Sequence, residues 1–346
     1  MTDNKNYQLS ISSGLTVDRA VDDVQEDAEN STEFELRQVA LPLHNHVERL
    51  DRTLAEIVPE FSRSYLQQLI AFGAVQINGV VQLKSATRVK AGDALSIELK
   101  PTPQSQAFKA ELMAIDVIFE DEFLLVINKP AGLVVHPAPG NWSGTLLNGL
   151  LARDAHAFVL PRAGIVHRLD KDTSGLMVIA RHRQTMDQIV QMIAARTVSR
   201  QYLALAHGVW LGSKTQCADF PIGRDPRNRL RMAVVDIEKT PGKLATTDIT
   251  LLENGAQHCL VQCKLHTGRT HQIRVHMNAL GHPLVSDTLY GGLTAGGLQR
   301  QALHACHLAF VHPVTGAAMS FHSQPPKDLL AAINNVGLQY SHPAKS

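Results

Sequence analysis

Gly164-Ile-Val-His-Arg-Leu-Asp-Lys-Asp-Thr-Ser-Gly-Leu-Met-Val-Ile-Ala-Arg181 is two apolar runs held apart by a mostly polar stretch. The runs read as strands, Gly164–Arg168 and Gly175–Ala180. A polar loop between two such strands is a place to display side chains. By residue type alone, Asp170 and Asp172 with Thr173, Ser174 and Gly175 make a turn whose carboxylates accept backbone N–H bonds. The alternate oxygens of Asp170, Asp172 and Ser174 also suit a divalent-cation loop, although no Glu follows in register.

Outward from this run, Ile115–Phe119, Leu124–Asn128, Tyr202–His207, Thr246–Leu252, Cys259–Leu265, Leu303–Phe310 and Ala317–Ser320 read as further strands. Thr145–Leu151, Gln184–Ala195, His271–Leu280 and Pro326–Ile333 read as helices. Tight turns such as Pro313-Val-Thr-Gly316, with few strict strand–helix–strand alternations, predict an α+β fold. Its sheet is mixed and mainly antiparallel, with flanking helices, rather than doubly wound. No glycine-rich phosphate loop or dinucleotide fingerprint follows any of these strands.

The chain has 346 residues, a formal charge of +1, 44% apolar residues and 19% charged ones, the composition of a soluble globular protein of about two domains. No run approaches the roughly 20 apolar residues of a membrane-spanning helix, and Met1–Ser31 lacks the pattern of a signal peptide, so the expected compartment is the cytoplasm. Cys217, Cys259, Cys263 and Cys306 fit neither a secreted disulfide framework nor a common zinc spacing. No metal site is expected. The absence of a coiled-coil repeat makes a monomer the expected state.

Residues 1–40 carry nine acids against three bases, which leaves +7 for residues 41–346. The acidic segment lacks a sustained apolar period, and residues 1–45 read as a disordered tail. From Val47 the pattern becomes regular. Leu50, Leu54 and Ile57 are helix-spaced, Pro59 ends that helix, and Ser62 is placed to cap a second one carrying Leu66, Leu69 and Ile70 before Gly73 stops it. Val75-Gln-Ile-Asn-Gly-Val-Val-Gln82 is a hairpin around Asn78-Gly79, and Leu95–Leu99 is a last strand. The small domain spans 46–108 and ends in the linker Lys100-Pro-Thr-Pro-Gln-Ser-Gln-Ala107. A larger domain fills 109–336, and 337–346 read as a flexible C-terminus.

Glu48-Arg-Leu-Asp51, Ser62-Arg-Ser64, Gly73-Ala-Val-Gln-Ile-Asn-Gly79 and Gly92-Asp93 together resemble the S4 RNA-binding domain. In the larger domain, four stretches join the opening run: Asn128-Lys-Pro-Ala-Gly-Leu-Val-Val-His-Pro137, Arg200-Gln-Tyr-Leu-Ala204, Leu265-His-Thr-Gly-Arg-Thr-His-Gln-Ile-Arg-Val-His-Met277 and Arg300-Gln-Ala-Leu-His-Ala305. In this order they resemble the RluA-type pseudouridine synthases over about residues 110–335, and an S4 domain in front is that family's usual companion. The run at 161–172 is similar to that of members acting on large-subunit ribosomal RNA.

The resemblance implies an isomerase that breaks the N1-glycosidic bond of uridine, turns the base while it stays bound, and rejoins it through C5, with no cofactor. It makes Asp170 the catalytic carboxylate, Tyr202 the ring that packs on the target base, Arg274 the ion-pair partner of Asp170, and Leu303 a pocket wall. Arg168 and Arg269 belong to the same pocket, Arg269 contacting phosphate or holding its turn. A carboxylate beside an arginine can act as nucleophile or base, and the target uridine must leave its stack to reach it. The implied partner is large-subunit ribosomal RNA, in a subunit-interface stem-loop. Arg49, Arg63 and Lys84 of the small domain, and Arg224, Arg227, Arg229 and Arg231 of Arg224-Asp-Pro-Arg-Asn-Arg-Leu-Arg231, become RNA contacts. His167, His271 and His276 are expected to bond backbone or RNA. The other readings are a sister enzyme acting on different uridines, a non-catalytic RNA-binding protein, and a glycosidic hydrolase using Asp170 with Asp172.

Overall fold

In the computed structural model the described residues are 9–15, 33–42, 47–59, 61, 63–99, 108–138, 141–228 and 231–341. Ser62, the linker 100–107 and Arg229 lie outside them. The chain divides into two units, Met1–Ala107 and Phe108–Ser346.

The first unit runs β1 (Leu9–Leu15), β2 (Glu33–Ala40), β3 (Glu48–Arg49), α1 (Leu50–Ile57), α2 (Arg63–Ala71), β4 (Val75–Ile77), β5 (Val80–Val81), β6 (Arg88–Val89) and β7 (Ala94–Leu99). Its main sheet has the order β1-β2-β7-β4-β5, every pair antiparallel. The helix-spaced Leu50, Leu54 and Ile57 pack with Leu66, Leu69 and Ile70 against Val75, Ile77, Leu95 and Ile97. Each such side chain removed from water contributes about 1.5–3 kcal/mol. Asn78 and Gly79 both have positive φ (51° and 79°), as a type I′ turn requires.

Residues 1–45 are not a tail throughout. Leu9–Leu15 and Glu33–Ala40 are strands, the second pairing with β7 from Glu35↔Leu99 to Ala40↔Ala94, and Val39 is buried in the core. The acid count of this segment says nothing about the ladder, which is made by backbone groups. The other residues up to 32 lie outside the described set.

The second unit runs β8 (Val117–Glu120), β9 (Leu124–Lys129), α3 (Leu146–Arg153), β10 (Ser174–Ala180), α4 (Arg183–Ala194), β11 (Ser199–His207), β12 (Thr215–Asp219), β13 (Ile222–Arg224), β14 (Met232–Val234), β15 (Gly242–Lys243), β16 (Thr246–Asn254), β17 (His258–Leu265), α5 (Gln272–Ala279), β18 (Leu303–Val311), β19 (Ala318–His322) and α6 (Lys327–Asn335). Nine of these strands form one sheet, ordered β12-β16-β17-β11-β18-β10-β9-β8, with β19 also on β18. Only β10 and β18 pair in parallel; the fold is α+β with a mixed, mainly antiparallel sheet. Both faces are covered. Along β11, Tyr202, Ala204 and Ala206 enter one core while Leu203 and Leu205 enter another with Leu329 and Ile333 of α6.

Two expectations fail locally. Gly164–Arg168 is not a strand, because the chain arrives through a tight turn with Arg162 and Ala163 at positive φ and makes a single bridge, Ile165↔Ile179. The His167 ring then replaces a backbone acceptor, its Nε2 taking the Val178 N–H at 3.1 Å. At the other end, Leu338 is buried. Gly337 (φ 80°) donates to Asn334 O and Leu338 to Ile333 O, the Schellman closure of α6, which seats Leu338 in the core. The expected free C-terminus therefore does not begin at 337, and 342–346 lie outside the described residues.

Candidate active site

The three central strands bring the key side chains together. Asp170 lies in the turn entering β10, where Thr173 N donates to its carbonyl at 3.1 Å. Ser174 and Gly175 of β10 pair in parallel with His304 and Ala305, which sets the turn beside Leu303, the first residue of β18. Gly175 is required there: at φ 117° a Cβ would collide with the Ala305 backbone. Tyr202 sits on β11 where its pairing with β18 shifts register between Gln201 and Leu203. Arg274 comes from α5, which starts at His271 in a left-handed conformation.

Arg274 holds two carboxylates. Its Nη1 reaches Asp170 Oδ2 at 3.1 Å, while Nε and Nη2 grip Asp287 at 2.7 and 2.8 Å. The ring of Tyr290 lies under the same guanidinium, 4.9 Å away. Burial by itself lowers the Arg274 pKa, but the hydrogen bonds and charge of Asp287, with Asp170 behind them, raise it above the usual value. The opposite oxygen of Asp170 faces His271 Nε2 at 3.9 Å.

These groups open into a cavity of about 450 Å³, a size that holds one small ligand. Arg162, Arg168, Arg196, Arg200, Arg269 and Arg274 line it, and Asp170 is the one carboxylate in its lining among the described residues. Asp172 is not among its lining residues. Burial pushes the Tyr202 phenol up to about 12, so Tyr202 offers a neutral ring. Burial, then Arg162 and Arg168, push His136 down to about 4; burial and Arg200 push His167 to about 3. Both imidazoles are therefore neutral at neutral pH and neither is a cationic acid there.

Asp170, Tyr202, Arg274, Leu303, Arg168 and Arg269 thus share one cavity. Arg269 braces the turn before α5, its Nε donating to Leu244 O at 3.1 Å and its backbone N–H to Gln272 Oε1 at 2.9 Å. His276 bonds Thr247 Oγ1 and the Phe220 carbonyl. Arg224, Arg227 and Arg231 do not line the cavity; their loop is organised around Asp225, which takes Arg231 Nε at 2.6 Å and Arg227 N at 2.8 Å. In the first unit Arg49 and Arg63 both bond Asp51, and Lys84 is exposed.

The model of RNA pseudouridylate synthases matches residues 123–279 and that of the S4 domain residues 48–95. Ribosomal large subunit pseudouridine synthase D of Neisseria meningitidis serogroup B is 44% identical over 313 residues, covering 87% of this chain and 82% of that one. The protein of the same name from Xanthomonas campestris pv. campestris is 44% identical over 307 residues, covering 85% and 90%. The chain belongs to the RNA pseudouridylate synthase family. A solved human structure, RNA pseudouridylate synthase domain containing 4, shares the fold at TM-score 0.51 and 22% identity over 66% of this chain and 95% of that one. As a pseudouridine synthase the protein is an isomerase, and the matched stretch carries Asp170, Tyr202 and Arg274 in one model.

Reading the sequence of this synthase did not single out Asp287, Tyr290, Arg200 or Lys129. Lys129 is 1% exposed, and its Nζ donates to the carbonyls of Pro130, Leu133 and Lys171 at 2.8, 2.9 and 2.9 Å, fixing the backbone next to Asp170. Its signal was available only in part: Lys129 ends a strand whose first four residues, Leu124–Ile127, are apolar and buried. Ser286 has φ 60° and bonds the Leu298 carbonyl at 2.7 Å.

Proposed function

We propose that this synthase converts uridines of large-subunit ribosomal RNA to pseudouridine, with Asp170 as the catalytic carboxylate. The observation that carries the reading is the cavity, where one partly held carboxylate stands among six arginines. Six positive charges suit a phosphate-bearing substrate, and the single acid suits a reaction that needs one nucleophile or base. The uridine N1–C1′ bond breaks, a C5–C1′ bond forms, and the C5 hydrogen leaves as a proton while N1 gains one, so the product is an isomer. The target base swings out of its stack, and the neutral ring of Tyr202, with Leu303, receives it. Arg168 and Arg269 at the cavity, the loop 224–231, and Arg49, Arg63 and Lys84 of the S4 unit contact the RNA backbone. The names of the most similar relatives support the large-subunit assignment, and a stem-loop at the subunit interface is its finer form.

The test is carbodiimide mapping of pseudouridine in large-subunit rRNA from cells lacking the gene, complemented with wild type or Asp170→Ala. Sites that vanish on deletion and return only with wild type are expected. Restoration by Asp170→Ala would refute the catalytic assignment, and loss of sites in other RNA alone would refute the substrate.

A further inference from the structure

Tyr290 is buried (3% exposed) in the turn that follows Asp287, and three functional elements meet on it. Its ring faces the Arg274 guanidinium. Its hydroxyl accepts the Met232 N–H at 2.9 Å and lies 2.8 Å from His271 Nδ1. A hydroxyl has one proton to give. In the arrangement in which that proton goes to Nδ1, the ring proton of His271 sits on Nε2, the nitrogen facing Asp170. Burial lowers the His271 pKa while Asp170 pulls the other way, consistent with a neutral ring.

Met232 is the residue directly after the arginine-rich loop and opens β14, paired to Arg224. The two ends of the loop are tied together: Asp225 N donates to Arg231 O, and the Asp225 carboxylate takes Arg231 and the Arg227 N–H. Displacement of the loop is therefore passed to Met232, and from its N–H to the Tyr290 hydroxyl. The gap between His271 Nε2 and Asp170 Oδ1, 3.9 Å, is longer than a hydrogen bond by about 1 Å. Catalytic hydrogen bonds are commonly long without substrate and tighten with it.

We propose that Tyr290 is a positioning residue that links the loop 224–231 to the catalytic pair, so that RNA held on the loop brings His271 onto Asp170 and orders the carboxylate for reaction. The proposal rests on the reading of Asp170 as catalytic and of the loop as an RNA contact.

The full chain is assayed by tritium release from C5-labelled uridine in a large-subunit rRNA stem-loop transcript, comparing wild type, Tyr290→Phe, Arg227→Ala, the double variant and His271→Asn. Tyr290→Phe keeps the ring under Arg274 and removes only the hydroxyl. It lowers kcat about tenfold with KM within about twofold, and His271→Asn does the same without disturbing the Tyr290 core. Arg227→Ala raises KM in both backgrounds, but its effect on kcat is present in wild type and absent in Tyr290→Phe, as coupled residues behave. An unchanged kcat in Tyr290→Phe and His271→Asn overturns the link, as does an equal kcat effect of Arg227→Ala in both backgrounds. Asp170→Asn runs alongside: if it remains active, the underlying reading of the site has failed rather than the link alone.

Discussion

Asp51 and Asp170, one in each unit, meet arginine in opposite proportions. Asp51 is a single carboxylate held by two arginines: Arg49 at 3.0 and 3.2 Å and Arg63 at 3.1 and 2.7 Å, with Gln67 at 2.7 Å, leaving its side chain 0% exposed. At the proposed catalytic pair the count is reversed. Arg274 serves two carboxylates and gives its two-pronged grip to Asp287, so Asp170 receives one contact and its side chain stays 18% exposed. A carboxylate fully buried under five donors is fitted to hold the structure together. One that is held at a single oxygen, at the mouth of a cavity, is oriented and still has an oxygen with which to react.

The comparison can be broken most severely at Asp287. In Asp287→Asn the buried Arg274 loses its main counter-charge and closes on Asp170. A fall in kcat of about 100-fold and a loss of about 2–4 kcal/mol in unfolding free energy are expected from kinetics and denaturant titration. Lys129→Met tests the backbone behind Asp170: three carbonyls lose their donor, and a loss of about 2–4 kcal/mol follows at neutral pH. Burial pushes the Lys129 pKa down to about 8, with Asp172 and Asp170 pulling it partly back. Between about pH 8 and 10 the unfolded chain keeps a proton that the folded chain has released. The stability of wild type relative to Lys129→Met therefore rises with pH in that window, by at most about 1.4 kcal/mol per pH unit.

Asp51→Asn sharpens the other side. It lowers the melting temperature of the S4 unit by a few degrees and leaves kcat unchanged. The hydrogen bond from Arg49 holds the Asp51 carboxyl well below the usual range, against the cost of burial and with Gln67 and Arg63 in support. Its stabilising effect is complete above about pH 4 and is lost as pH falls towards the lowered value, so wild type and Asp51→Asn converge on acidification. The smallest effect is expected at Ser286→Gly. Relief of a positive φ is offset by loss of the bond to Leu298, and a change under about 1 kcal/mol is predicted by thermal melts.

What could be read from the sequence divides along the same line. Asp170, Tyr202, Arg274 and Leu303 lie in short ordered motifs, and alternating or helix-spaced apolar residues located β7, β17 and α1 nearly to the residue, and β11 without its first three residues. Asp287 and Tyr290 were not legible as site residues. They arrive through a short turn without periodicity, and their partner Arg274 is brought to them only by tertiary packing. β2 was hidden for a related reason, since Glu33 and Glu35 continue the acidic run before them and its ladder to β7 is made by backbone groups. The segment 164–168 misled in the opposite sense: Ile165 is buried and Val166 half-buried, but a bridge and the His167 ring take the place of a strand.

The central claim is that the under-held carboxylate does the chemistry and the saturated one does not. The most direct measurement is single-turnover tritium release from C5-labelled rRNA by Asp170→Asn and Asp51→Asn in parallel, with a melting curve for each. The account predicts a rate at least about 1,000-fold below wild type for Asp170→Asn with its melting temperature kept, and a wild-type rate for Asp51→Asn with its melting temperature lowered. Measurable turnover by folded Asp170→Asn, within about tenfold of wild type, would contradict it.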